Sequence, residues 1–164
     1  EKQASGDVVA QREEALAKQL QEMKHRKRKL VDPLQFEMSI QAEDLSNYVP
    51  AFGWEAGPAS EKQLATLERL GIFPDDIDNA GKAAKLLDRL DKRRMEGLTT
   101  PKQIRFLESK GFEHVGIWQF ESAKKLIDRI ASNGWFVPHD INPAHYQPET
   151  IVSEEYGWQT RHIS

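Results

Sequence analysis

Apolar residues near the start of the chain recur every seven positions, at Val9, Leu16, Met23 and Leu30, with Leu20 beside them. That spacing predicts one long helix over residues 7–31, capped by Asp7, with a narrow coiled-coil-like seam broken by Glu13 and Lys27. Such a helix is expected to act as a brace that docks on another part of the same polypeptide. Asp32-Pro33 ends or redirects it, because the residue before a proline is pushed out of helical geometry. Leu34, Phe36, Met38 and Ile40 alternate as in a strand, yet Leu34/Met38 and Phe36/Ile40 also keep the i,i+4 spacing of a helix. The segment is read as helical, with residues 42–48 as a short second piece. Pro50 to Pro58, with two glycines and Trp54, reads as a linker.

The middle of the chain repeats itself at an offset of 40 residues. Ser60-Glu61-Lys62-Gln63-Leu64, Leu67-Glu68 and Gly71-Ile72 return as Thr100-Pro101-Lys102-Gln103-Ile104, Leu107-Glu108 and Gly111-Phe112. Lys85-Leu86-Leu87-Asp88-Arg89-Leu90 returns as Lys125-Leu126-Ile127-Asp128-Arg129-Ile130, Ala83 as Ala123, and Ile77 as Ile117, with no gap anywhere. Each unit reads as a helix-loop-helix. Ser60 and Thr100 are N-caps with Gln63 and Gln103 completing capping boxes, Pro101 suits a first helical position, and Gly71 and Gly111 close the first helices. Asn79 caps the second helix of unit one. Ala83, Leu86, Leu87 and Leu90 face inward there, as do Ala123, Leu126, Ile127 and Ile130 in unit two, which Asn133-Gly134 stops. Leu64, Leu67 and Leu70 give the first helix a matching apolar stripe.

The fold class that follows is all-α: a long charged helix (1–33), a short helical segment and linker (34–58), two tandem helix-loop-helix repeats (59–98 and 99–138) and an extended tail (139–164). The tail holds Pro143, Pro148, Tyr146, Tyr156 and Trp158 and is expected to wrap a surface. The chain opens at Glu1 without an initiator Met, as expected of a piece of a longer polypeptide.

Charge adds a direction to this frame. The net charge of −3 argues against a histone-like binder, but the run Lys24-His25-Arg26-Lys27-Arg28-Lys29 carries five cations and no acid. Between Lys82 and Arg105 eight basic residues face three acids, while acid gathers at Asp75-Asp76 and Glu154-Glu155. A divided distribution suits a binder with one working face; the alternative is a pair of solvated helix faces. Lys62 and Lys102 sit in first helical turns, where a cation opposes the macrodipole. Beside free N–H groups they would help grip a phosphate, whereas the glutamine of the same motif is accounted for by capping.

Catalytic chemistry finds no footing. Gly81-Lys82 lacks the spacing of a phosphate loop and is followed by Ala rather than Ser or Thr. His25, His114, His139, His145 and His162 show no metal-ligand pairing, and the carboxylates fall at surface-type positions, so neither catalytic residue, metal nor cofactor is assigned. The absence of cysteine excludes disulfides and thiolate chemistry and fits a reducing, cytoplasmic setting. No apolar run reaches the length of a membrane span. Among the aromatics, Trp118 in the loop of unit two is the candidate base-stacking platform. Trp54, Trp135 and Phe136 read as core or linker anchors.

Two resemblances bear on function. Gly71-Ile72, Gly81-Lys82-Ala83 and Lys85 to Leu90 resemble the second half of a SAP-type helix-extended-loop-helix motif, a small DNA-binding module. Unit two departs from it with Glu121-Ser122 in place of Gly-Lys, and the loops are longer. Across most of the chain, Leu30-Val31-Asp32-Pro33-Leu34, Ala42-Glu43-Asp44-Leu45, Phe52-Gly53-Trp54-Glu55, Gly97 to Arg105 and Asn133-Gly134-Trp135 are similar to the C-terminal region of phage and mobile-element DEAD/DEAH-box helicases. That resemblance implies a DNA-handling accessory module, on single strands or a fork, with the ATPase lobes upstream as partner. It supplies no contact residues. Charge and position nominate Lys62, Lys102 and Arg105 at helix starts, Lys82, Lys85, Arg89, Arg93 and Arg94 nearby, and Arg26, Lys27, Arg28 and Lys29 as an extension of the track. The competing expectation is a protein-interaction module, marked by an exposed apolar patch on the Val9–Leu30 seam or the aromatic tail.

Overall fold

The computed structural model of the chain describes residues 2–150, with side chains from residue 6 onward. Among these residues there are eight α-helices and no strand. Helix α1 (Lys2–Lys29) begins upstream of Asp7, so Asp7 lies inside the helix rather than capping it. At 1.5 Å per residue α1 is about 42 Å long, and residues 6–25 are exposed throughout. The heptad seam therefore faces solvent, with Val9 at 52% and Leu16 at 59% exposure. Only at its end does α1 meet the body, where Leu30 and Val31 are buried.

Asp32 does more than stop α1. Its carboxylate accepts from Leu34 N at 3.0 Å and caps α2 (Pro33–Ser39), with Pro33 in the first turn. Helix α3 (Glu43–Ser46) follows, and the segment predicted as linker contains one further turn, α4 (Gly53–Ala56). The ambiguity between strand and helix over 34–48 is thus resolved as helix, since Asp32-Pro33 supplies a complete N-terminal signal.

The repeats form as their local chemistry dictates. Unit one is α5 (Glu61–Arg69) and α6 (Ala80–Met95); unit two is α7 (Pro101–Ser109) and α8 (Phe120–Ser132), with a 3-10 turn at Val115–Ile117 between them. Ser60 and Thr100 both carry reciprocal capping boxes with Gln63 and Gln103. Each glutamine also reaches beyond its own helix. Its Nε2 donates to the carbonyl of Ala80 (3.4 Å) or Phe120 (3.3 Å), tying the start of one helix to the start of its partner. Gly71 and Gly111 close the first helices at φ +103° and +99°. Of the inward-facing residues, Ala83, Leu86, Leu90, Ala123, Leu126 and Ile130 are buried and Leu87 and Ile127 half-buried. Leu70 is 39% exposed and departs from the predicted stripe, because it borders a cleft between the repeats.

The described part of the tail packs on unit two. Tyr146 meets Phe112 edge to face (5.4 Å) and Trp118 at a tilt (5.5 Å), Pro143 approaches Gly111, and Ser122 Oγ donates to the carbonyl of Glu149. Tyr156, Trp158, His162 and Glu154-Glu155 lie outside the described residues. No helix among the described residues is long and apolar enough to cross a membrane.

A buried polar node joins α2 to unit two. Ser39 Oγ donates to Glu108 at 2.5 Å and accepts from Gly116 N at 2.7 Å, and Glu108 also accepts from Gln35 (3.0 Å) and Val115 N (3.2 Å). The approach works because position 116 has no side chain: a Cβ there would stand 2.5 Å from the Ser39 carbonyl carbon and oxygen. Gly116→Ala must push backbone apart, and overpacking of that kind costs up to about 3 kcal/mol. The expected result in urea unfolding is a lower midpoint with an unchanged slope; an unchanged midpoint would mean that the node is not a determinant of the fold.

Candidate nucleic-acid interface

The end of α1 is held against both repeats by its own cations and by the strap that follows. Val31 N donates to Gly71 O and Phe73 N to Val31 O, both at 2.8 Å, pairing the chain after α1 with the loop after α5. Arg26 bridges Glu68 on α5 and Asp75 in the loop, and lies with Lys27 over the Phe73 ring. The hydrogen bonds that Arg26 donates to Asp75 and to Glu68 raise its pKa still further. Arg105 Nε reaches across from α7 to the Lys27 carbonyl at 3.2 Å, satisfying an acceptor at the C-terminus of α1.

These contacts open a groove of about 740 Å³ bounded by α1, α5 and α7. Arg28, Lys29 and Leu30 form one wall, Ala65, Glu68 and Arg69 the second, and Lys102, Arg105, Phe106 and Ser109 the third. On α7 the lining residues keep the i, i+3, i+4, i+7 spacing of one helical face. Gly71 brings the walls close, since a Cβ at that position would meet Lys102 Cγ at 3.0 Å and Pro101 Cβ at 3.1 Å. Five cations line the groove against one carboxylate, Glu68, which pairs with Arg26, an arginine shared with Asp75. Among the described residues Arg28, Lys29, Arg69, Lys102 and Arg105 enter no ion pair. Lys62 is exposed on the α5 face that carries Ala65 and Arg69, one turn towards the N-terminus.

The backbone at the helix starts contributes less than the sequence suggested. Pro101 has no N–H and that of Gln103 is taken by Thr100 Oγ1, leaving the Lys102 N–H as a first-turn donor of α7. Lysine at this position acts through its side-chain charge.

Several nominated residues are spent on the fold. Lys82 pairs with the buried Glu37 at 2.5 Å and donates to the Leu45 carbonyl, fixing α6 to α2 and α3. Arg93 is 6% exposed; its Nη2 donates to Gly116 O (2.7 Å), Thr99 O and Thr99 Oγ1 (both 3.1 Å), and its Nε has no partner. Burial, with repulsion from Arg89, pushes its pKa down to about 10, so it stays charged at neutral pH. Arg89 pairs with Asp44 at 2.5 Å and Lys85 lies over the Tyr48 ring at 4.9 Å, whereas Arg94, 77% exposed, pairs within α6 with Asp91 at 2.9 Å and stays on the surface. Trp118 is 5% exposed, with Phe112 and Tyr146 packed on it, and offers no face to a base. The other aromatics are not core residues: Trp54, Trp135 and Phe136 are all exposed.

A second cleft, about 800 Å³, lies between the repeats. Its walls are Leu70, Leu87, Leu90, Leu98 and Phe120, and Arg93 and Arg94 on its border already have partners. Arg69 stands on the ridge between the two clefts. Sequence reasoning passed over Arg69 and Phe106. The signal for both was available: residues 62, 65, 66 and 69 of unit one and 102, 105, 106 and 109 of unit two are the same helical face at the 40-residue offset. No group of histidines and carboxylates among the described residues is arranged to hold a metal.

The division between structural and free cations is testable. Lys82→Met leaves Glu37 buried without its partner and is expected to lower stability by about 3 kcal/mol in urea unfolding. Lys102→Met, at an exposed position where the charge opposes the helix dipole, is expected to leave the midpoint unchanged or slightly raised. Equal effects of the two substitutions would contradict the division. No family model, curated protein or solved structure matches this chain, and what the groove binds is argued from its residues.

Proposed function

We propose that the chain is a nucleic-acid-binding module, without catalytic activity of its own, that holds phosphates in the groove between α1, α5 and α7. The observation that carries this reading is the convergence of five cations from three separate stretches of sequence on one groove whose lone carboxylate is already paired. Clustered lysine and arginine met by no acid attract a polyanion and release its counterions. The similarity to helicase C-terminal regions supports DNA as the ligand and an accessory role beside upstream ATPase lobes. A cytoplasmic setting agrees with such a role.

A second reading rests on a different part of the molecule. Val9, Leu16, Leu20 and Met23 form an exposed apolar stripe along α1, which favours a docking function for the projecting helix. The two are compatible, since the stripe lies outboard of the groove: α1 would attach the module to its partner while its basic end meets the nucleic acid.

Fluorescence anisotropy with labelled single-stranded, duplex and forked DNA tests the proposal. If the groove neutralises three to five phosphates of a single strand, affinity should fall roughly 20- to 100-fold between 50 and 200 mM salt. The double variant Arg69→Glu/Lys102→Glu, which touches only exposed side chains, is expected to weaken binding by more than tenfold without lowering stability. Binding that ignores salt, or that survives this variant, would overturn the assignment. Failure to bind any probe would leave the docking role of α1 as the better reading.

A further inference from the structure

Trp135 combines three features that packing does not explain. Its backbone is left-handed at φ +69°, directly after Gly134 at the same angle, a conformation that bulky residues rarely adopt. It is held there from three sides: its N–H donates to Ile130 O at 2.9 Å, its carbonyl accepts from Lys110 Nζ at 3.0 Å, and Asn133 Nδ2 clamps the next carbonyl, that of Phe136, at 3.0 Å. Yet the residue so constrained is 56% exposed, and Phe136 beside it 74%. Strained backbone that persists only because its surroundings enforce it gathers at functional sites, and here more than half of the residue it presents stays exposed.

The indole is joined to the basic groove through Phe106, which lines it. It meets the ring of Phe106 edge to face, with centroids 5.9 Å apart and planes at 84°. Phe106 is one turn along α7 from Lys102 and lines the groove with it and Arg105. Lys110, 5.6 Å over the Phe106 ring, adds a cation at the same end. A phosphate track ending in an exposed, rigidly presented aromatic is the arrangement by which proteins hold unpaired strands, because every base has a face to stack and a duplex keeps those faces covered.

We propose that Trp135, supported by Phe106, is a base-stacking platform and that the groove takes an unpaired strand, with phosphates on Arg69, Lys102 and Arg105 and a base on the indole. This deepens the nucleic-acid reading and rests on it. The site assigned to Trp118 from the sequence moves to an aromatic on the surface.

The experiment compares a labelled oligothymidine, the same strand with abasic sites and a blunt duplex of equal length, each with the unaltered chain, Trp135→Phe and Trp135→Ala. The unaltered chain should bind oligothymidine about tenfold more tightly than the abasic strand, the order of one stacked base. Trp135→Ala should lose that advantage and leave affinity for the abasic strand and the duplex unchanged. Trp135→Phe should keep most of it. Equal binding of intact and abasic strands by the unaltered chain overturns the platform even if Trp135→Ala folds poorly. Salt-dependent binding unaffected by Trp135→Ala overturns it too while leaving the groove intact as a phosphate site. Absence of binding to all three probes removes the nucleic-acid reading itself, and the platform with it.

Discussion

Ser39 Oγ is placed between a carboxylate and a backbone amide, Glu108 and Gly116 N, with both bonds made inside the protein. Around it, Val115 N and Gln35 complete Glu108, Thr99 Oγ1 donates to Val115 O at 2.8 Å, and Arg93 binds the carbonyls of Gly116 and Thr99. Buried polar groups of this kind stabilise only when nearly all are satisfied, and then they specify one arrangement rather than a family of similar ones. The arrangement they specify is the seating of α2 on unit two. Since α2 follows α1 after a short strap, that seating decides where the basic end of α1 lies, and so whether the groove exists.

Duplication explains both the regularity of the repeats and the irregularity that makes a site. The 40-residue offset carries over to individual bonds: Gln63 to Ala80 O matches Gln103 to Phe120 O, and Ala80 N to Gly57 O matches Phe120 N to Gly97 O. Glu68 and Glu108 are also equivalent, and each receives the preceding segment, Arg26 in one case and Ser39 with Gln35 in the other. On the groove face the copies differ. Ala65 stands opposite Arg105, Thr66 opposite Phe106 and Arg69 opposite Ser109. The shared bonds hold the two first helices in comparable frames, and the unshared residues give the groove its charge on both walls and its aromatic on one.

What could be read from the sequence was local. A capping box, a left-handed glycine after a helix or a proline in a first turn is decided by neighbours within about four residues, and each was found where Ser60, Gly71 and Pro101 announced it. The fate of a cation is not local. Lys82 and Lys102 stand on similar helix starts, yet one is drawn in by Glu37, which is distant in sequence, and the other meets no carboxylate. Trp118 looked free because its loop is polar in the other repeat, and only the return of Tyr146 from the tail covers it. Trp135 reads as an anchor because large aromatics usually are; a second left-handed residue after Gly134 has no sequence signature.

One of the cations that remain free is placed unfavourably for the isolated fold, although Arg28, Lys29 and Arg69 stand in last helical turns that favour them. Lys102 lies in the first turn of α7, where the macrodipole opposes it by a few tenths of a kcal/mol up to about 1, and it shares its groove with Arg28, Lys29, Arg69 and Arg105. Like charges brought together without counterions destabilise the compact state. The protein has carboxylates to spare, with a net charge of −3, and uses them where a cation must be fixed: Glu37 on Lys82, Asp44 on Arg89, Glu68 and Asp75 on Arg26. Leaving the groove without such partners keeps its charge available, and an anion entering it would relieve both the helix-dipole conflict and the mutual repulsion. The attraction for phosphate is therefore set by how the fold distributes its acids as much as by how many bases it carries.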